Sequence, residues 1–158
     1  MTDSLRPPWS IDQLLPHAGR AILLDAVDMF TGRSLSAHLT IRRDSPFFRD
    51  GGIPTHVAIE YMAQACAAFV GVEAMLAGVP PRIGLLLGAR GFRAVRPRFV
   101  EGERLTVESN LVFRDEQVGV FDCDVRSGEE VPVMARLTVF QPANAEALLA
   151  GQLGDGDG

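Results

Sequence analysis

The sequence predicts an α+β fold in which a curved antiparallel sheet wraps one long central helix. Three observations point to it. Residues 54–77 are the longest stretch without an internal Gly-Pro cluster, and their apolar positions recur at helical spacing: Val57, Tyr61, Ala65, Ala68, Phe69, Val72 and Met75. Residues 105–113, 118–126 and 131–140 alternate apolar and polar with the period of strands, and short turns join them, as in an antiparallel sheet. The helix is nearly apolar all round, so it needs cover on every side, which a sheet curved about it supplies.

The other elements follow in chain order. Residues 1–9 read as a polar tail with Pro7 and Pro8, and 10–15 as a short capped helix stopped by Pro16. His17 to Arg20 is a loop. Residues 22–30 and 34–41 read as two strands of a hairpin about Thr31-Gly32-Arg33. Leu35, Ala37, Leu39 and Ile41 share the core face of the second strand, which leaves His38 on the opposite, exposed face. Residues 42–53 form a loop in which Phe47 and Phe48 are too apolar for a free tip and plug the core or line a pocket. In the long helix, Thr55 is the expected N-cap, and Gly78 with Pro80 and Pro81 is the stop. At 1.5 Å rise per residue, roughly 22 residues give a helix of ~33 Å, about the diameter of a small domain. Residues 82–95 read as a strand whose Gly84, Gly88 and Gly91 suggest bulges or close approach of the helix. Residues 96–102 turn, and Ser127-Gly-Glu-Glu130 joins the last two strands. This is the hotdog architecture: one domain over residues 1–142, with a short flexible tail at 143–158 ending Gly-Asp-Gly-Asp-Gly.

Composition narrows the functional classes. The chain has 158 residues, 47% of them hydrophobic, which fits one domain with a single core. A net charge of −5 lacks the electrostatic footprint of a nucleic-acid binder. All 15 basic residues are arginine, so Schiff-base chemistry and pyridoxal phosphate anchoring are excluded. Cys66 and Cys123 are expected to be buried free thiols, and neither a metal nor a cofactor is expected. No apolar run free of charge reaches the ~18 residues of a membrane span, and a cytoplasmic protein is the expectation.

An ionisable row on a core helix is the most informative feature. His56, Glu60 and Gln64 lie at i, i+4 and i+8, on one helix face. Glu60 is not a capping-box partner, since with Thr55 as N-cap that position falls on Ala58. Buried ionisable groups cluster at functional sites, and burial raises a carboxyl pKa toward the range acid–base work needs. Gly51 and Gly52 precede the helix start, where backbone N–H groups meet anions and developing negative charge.

Several segments resemble bacterial 3-hydroxyacyl-(acyl-carrier-protein) dehydratases over residues 13–125. Leu14-Leu-Pro-His-Ala-Gly-Arg-Ala-Ile-Leu-Leu-Asp25 is similar to their opening, and Ser45-Pro-Phe-Phe48 to the segment leading to their active site. Pro54, Glu60 and Gln64 match their helix start, with a Pro six residues before the catalytic Glu and a Gln four after it. Phe92-Arg-Ala-Val-Arg-Pro97 and Val100-Glu-Gly-Glu-Arg-Leu105 resemble the strand pair beyond it. One segment departs. Where that family carries Gly-His-Phe-Pro-Gly with a catalytic His, this chain has the shorter Arg49-Asp-Gly-Gly-Ile53. That form, with Ile59-Glu-Tyr-Met-Ala-Gln64 and Gly84-Leu-Leu-Leu-Gly-Ala-Arg90, resembles the dehydratase-like hotdog proteins of aryl polyene clusters.

The resemblance implies dehydration of 3-hydroxyacyl thioesters carried on an acyl carrier protein, in fatty-acid or polyene biosynthesis, or of a coenzyme A thioester. Such chemistry needs a base for the α-proton, an acid for the departing hydroxyl and donors to the thioester oxygen. The catalytic candidates are Glu60 and His56, the latter as replacement base or partner of Glu60. The substrate-binding candidates are Gly51, Gly52, Gln64, Phe48 and Arg90. Gln64 either orients Glu60 or is a satisfied core amide. Arg90, with Arg82, Arg93, Arg96 and Arg98, either meets the phosphopantetheine phosphate and the carrier's acidic surface or forms a solvated strand face. A sheet edge left open by one subunit implies a homodimer, or a heterodimer with a related hotdog subunit. The alternatives on the same fold are an acyl thioesterase and a non-catalytic subunit of a mixed dehydratase dimer.

Overall fold

Helix α2 (Ala58–Leu76) is the core element, and the computed structural model, which describes residues 4–15, 21–82 and 84–141, shows what covers it. The loop with His17 and the tail at 143–158 lie outside the described residues. The strands are β1 (Ala26–Phe30), β2 (Ser34–Thr40), β3 (Gly52–Pro54), β4 (Leu85–Ala94), β5 (Arg98–Val100), β6 (Arg104–Asp115), β7 (Val118–Ser127) and β8 (Glu130–Phe140). Six of them form one antiparallel sheet in the order β1-β2-β6-β7-β8-β4, and β3 and β5 form a separate two-stranded ribbon. The predicted hotdog arrangement holds.

Alternation explains why the sheet packs on the helix. Leu35, Ala37 and Leu39 of β2, Leu105 and Val107 of β6, Phe121 and Val125 of β7, and Val133 and Leu137 of β8 are buried. They close over Tyr61, Met62, Ala65, Phe69 and Val72 of α2. Phe69 is the centre, with its ring edge-on to Phe30 at 5.1 Å and Phe121 at 5.2 Å. Such pairs add about 0.5–1.5 kcal/mol beyond the area they bury. Thr55–Leu76 is long and apolar enough to cross a membrane by length and composition alone. Yet 56% of its most apolar window is buried inside the protein, as a core helix requires. Cys66 and Cys123 are buried and free, with their Sγ atoms 3.5 Å apart, and burial pushes the Cys66 thiol up.

A short helix, α1 (Ile11–Leu14), closes one side of α2. The Gln13 side chain accepts the Ser10 N–H at 2.9 Å, which fixes its first turn. Where the two helices meet, a Cβ on Gly71 would lie 2.3 Å from the Leu14 carbonyl oxygen. Glycine is the residue that permits this contact.

Three expectations are corrected, and one that offered two alternatives is resolved. The first strand begins at Ala26 rather than at residue 22, because the backbone of residues 21–24 bonds to a helix side chain instead of to a strand. Thr55 is not the N-cap: Thr55–Val57 form a 3₁₀ turn, and the Thr55 hydroxyl donates to the Arg96 carbonyl at 2.8 Å. The Thr55 N–H donates to the Pro97 carbonyl at 3.0 Å, so the helix entry is tied to the turn before β5. Of the two readings of Gly88 and Gly91, bulges hold and close approach does not, since nothing lies within 4 Å of a Cβ at either. They fall at irregularities of the β4–β8 ladder, and Gly91 has a φ of +61°. His38 is not simply exposed. Its Nδ1 lies 2.8 Å from an Asp28 carboxylate oxygen on the outer face, and the ring is 21% exposed.

Candidate active site

The start of α2 is built by three neighbours. On one side the ribbon β3–β5 pairs Gly52 with Val100, Ile53 with Phe99 and Pro54 with Arg98. A Cβ on Gly52 would lie 2.1 Å from the Phe99 carbonyl oxygen, so only glycine allows that pairing. The chain enters β3 through a tight hairpin. Arg49 N–H donates to Gly52 O at 2.8 Å, and Gly52 N–H returns to Arg49 O at 3.2 Å. The two residues between them, Asp50 (φ 53°) and Gly51 (φ 83°), both have positive φ, which the Asp-Gly dipeptide tolerates best. Arg98 clamps this turn by donating to the carbonyls of Arg49 at 2.6 Å and Asp50 at 3.1 Å.

On the second side, residues 21–24 lie along the helix, held by Gln64. Its Oε1 accepts the Leu23 N–H at 2.8 Å and the Leu24 N–H at 3.4 Å, while its Nε2 donates to Ala21 O at 2.9 Å. Both ends of the amide are therefore engaged by backbone, as a satisfied core amide requires. On the third side, the loop 42–48 folds back through bonds from Ser45 N–H to Arg42 O and Phe48 N–H to Ser45 O, both 3.1 Å. Phe47 and Phe48 are half-buried against the core.

The structure thus distributes the predicted residues among different tasks. Glu60 is half-buried in the first turn of α2, where the helix dipole favours a carboxylate. His56 is exposed in the 3₁₀ turn before it. Gly51 shapes the hairpin. The Gly52 N–H bonds the Arg49 carbonyl, and its Cα faces Phe99. Phe48 packs on the core, and Arg90 is exposed on β4, opposite Arg136 of β8. Of the other arginines, Arg98 holds the hairpin and Arg96 is paired with Glu103 and Glu130. Arg82 and Arg93 are exposed.

Sequence reasoning missed three structural contributors. Asp50 belongs to a two-residue hairpin, which the Asp-Gly dipeptide before Gly52-Ile53 signals. Tyr61 carries a buried hydroxyl with no hydrogen-bond partner among the described residues, whereas its helical spacing marks it only as core. Glu103 anchors the ribbon from a distance. It accepts from the Arg96 guanidinium, from the Ser127 hydroxyl and, at 3.0 Å, from the Val100 N–H. Nothing in the local pattern announces those partners.

Comparison with known proteins agrees with this geometry. The family model described as ApeP-like, ApeP dehydratase, matches residues 9–150. A chain of the dehydratase heterocomplex ApeI:P from Xenorhabdus doucetiae is 31% identical with a TM-score of 0.83, over 91% of this chain and 98% of that one. The PaaI protein of the E. coli phenylacetic acid degradation operon superposes with a TM-score of 0.59 at 14% identity, over 76% of this chain and 80% of that one. A hypothetical thioesterase from Streptococcus pneumoniae, solved with coenzyme A, gives 0.59 at 14% identity, over 73% of this chain and 84% of that one. At such identity these two show the fold alone. No curated protein matches the chain. The match across almost the whole domain, together with the likeness to the heterocomplex chain, makes this protein a member of the ApeP-like dehydratase family, the hotdog dehydratases of aryl polyene clusters.

Proposed function

We propose that the chain eliminates water from 3-hydroxyacyl thioesters carried on an acyl carrier protein, and that it does so in the cytoplasm as one subunit of a complex with a related hotdog protein. The observation that carries the reading is Glu60, a half-buried carboxylate in the first turn of a central helix that is apolar but for it, Gln64 and, near the far end, Glu73. In this reading the base removes the proton α to the thioester carbonyl. The bond from the β-carbon to the hydroxyl then breaks, the oxygen leaves as water once protonated, and an enoyl thioester remains. Glu60 supplies the acid, the base, or both in turn. The positive end of α2 stabilises the enolate oxygen as charge develops.

The other residues support that chemistry. Gln64 fixes residues 21–24 against the helix and so shapes the wall beside Glu60. The Gly51 turn, Phe48 and the Arg98 clamp hold the loop on the other side. His56, exposed in the turn before α2, is the second candidate for the proton transfers. The exposed Arg90 and Arg93 on β4 suit the phosphopantetheine phosphate of a carrier protein or of coenzyme A.

Strand β4 favours a complex. It pairs only with β8 among the described residues and presents Leu87 at 60% exposure, with Val95 just beyond its end at 70%. An unpaired apolar edge invites a second sheet. The heterocomplex nature of the 31% identical structure favours a related hotdog subunit over a second copy. Two free thiols held 3.5 Å apart suit a reducing compartment.

The test is Glu60→Gln, assayed with the partner subunit. A loss of turnover by about 10²–10⁴-fold, the usual worth of a general acid or base, is expected. Unchanged turnover contradicts the reading, and release of a free thiol in place of an enoyl thioester assigns the protein to thioester hydrolysis instead.

A further inference from the structure

The chain has two cysteines, and the fold brings them together. Cys66 of α2 and Cys123 of β7 stand 57 residues apart in sequence, yet their Sγ atoms lie 3.5 Å from each other. Both are free thiols, 0% and 3% exposed. Strand β7 runs between β6 and β8 in the sheet, and Cys123 is flanked there by Ser109 of β6 and Ala135 of β8. All three side chains are small, so α2 sits close, and the Ser109 hydroxyl donates to the Ala65 carbonyl at 3.4 Å. Close approach asks for small side chains at this row. It does not ask for sulfur on both sides of one contact.

Two sulfurs in contact across a helix–sheet interface need a small closure, not a rearrangement of the backbone, to bond. Burial pushes the Cys66 thiol up, so little thiolate exists while the helix sits on the sheet. Oxidation therefore follows brief opening of α2 from β7, when water and a small oxidant reach the sulfurs.

We propose that Cys66 and Cys123 are a dithiol switch, closed by peroxide into a disulfide that locks α2 onto the sheet and reopened by thiol reductants. One sulfur attacks a peroxide oxygen and the O–O bond breaks. A sulfenic acid forms, and the thiol proton ends on the departing hydroxide as water. The second sulfur then attacks the sulfenic sulfur, the S–O bond breaks, and the oxygen leaves with the second thiol proton as water. Two thiols and one peroxide thus become one disulfide and two waters. The resolving sulfur is already in contact, which favours the disulfide over further addition of oxygen. The lock fixes the helix that carries Glu60 fewer than two turns before Cys66, but it does not depend on the reaction proposed above.

Hydrogen peroxide on the full chain is the probe. Thiols left free are alkylated with iodoacetamide in urea, and trypsin then cuts after the arginines. Untreated protein is expected to take label on both cysteines. Treated protein is expected to take none and to yield residues 50–82 joined to residues 115–126, a species that dithiothreitol splits. The cross-link restricts the unfolded chain, so treated protein is expected to unfold at higher urea than untreated, and dithiothreitol is expected to abolish the difference. Cys123→Ala is expected to show neither the joined peptides nor the rise, which separates the disulfide from oxidation of methionines. The proposal is overturned if both thiols still take label after an exposure that oxidises the same chain in urea. It is equally overturned if the cysteines are recovered as sulfinic or sulfonic acids, if the bond joins two chains, or if the joined protein unfolds at no higher urea than the reduced one.

Discussion

Glu103 shows how a single side chain sets the geometry around the helix start. Burial opposes its ionisation, but hydrogen bonds from Arg96, the Ser127 hydroxyl and the Val100 N–H outweigh that and hold the carboxyl below its usual range. A carboxylate so held contributes stability that is fully present above its unfolded-state pKa. That contribution is lost as pH falls through the lower folded value. Glu103→Gln is therefore expected to lower stability by about 1–3 kcal/mol at pH 7. It is also expected to flatten the decline of stability as pH falls below the ordinary glutamate value of 4.5, measured by urea unfolding at a series of acidic pH values. An unaltered acid decline assigns the pH dependence to other carboxylates. The same residue ties Arg96 to the ribbon, and the Arg96 carbonyl receives the Thr55 hydroxyl, so its bonds reach the entry of α2. Residue-level readings from sequence fared unevenly for this reason. Glu60 is legible because a carboxylate on an apolar helix breaks the pattern, whereas Gln64 and Gly52 have partners more than 40 residues away in sequence. Spacing marks such a position as unusual but does not say what it touches.

At the scale of the element, α2 was the easiest to read, because its apolar spacing and its Gly78-Pro80-Pro81 stop are both local signals. Its start was harder. The 3₁₀ turn at Thr55–Val57 is imposed by bonds to residues 96 and 97, a tertiary effect that outweighs the capping preference of threonine. The strands β6, β7 and β8 were legible from strict alternation. The start of the first strand was not, since a bulge and a side-chain clamp leave no period to detect, while the glycines of β4 signalled its bulges. The contact between α1 and α2 yields a sharp expectation. Gly71→Ala pushes a methyl into the Leu14 carbonyl, which backbone cannot easily yield. A loss of about 1–3 kcal/mol in denaturant unfolding is expected, typical of overpacking. A neutral result means that α1 shifts without penalty.

The whole molecule is an open structure: a six-stranded sheet wrapped around one helix, whose edges are β1, bridged once by Leu5 at Phe30, and β4, which has no second partner strand among the described residues. The edge strand β4 carries exposed Leu86, Leu87 and Phe92 beside Arg90 and Arg93. Placing charge there should block association while leaving the fold alone. Leu87→Arg is expected to shift the stability of the isolated chain by no more than about 0.5 kcal/mol, because the side chain is a surface one. It is also expected to weaken assembly with a hotdog partner by more than about tenfold, seen by sedimentation. Assembly unaffected by Leu87→Arg places the interface elsewhere.

The central claim is that this chain, with its partner, dehydrates a carrier-bound 3-hydroxyacyl group through Glu60. Mass spectrometry of a 3-hydroxyacyl-carrier protein, incubated with the complex and with its Glu60→Gln form, tests it most directly. The expected result is a loss of about 18 Da, one water by the elimination above, with the wild-type complex and none with the variant. An unchanged mass with the wild-type complex, or the same loss with both forms, contradicts it.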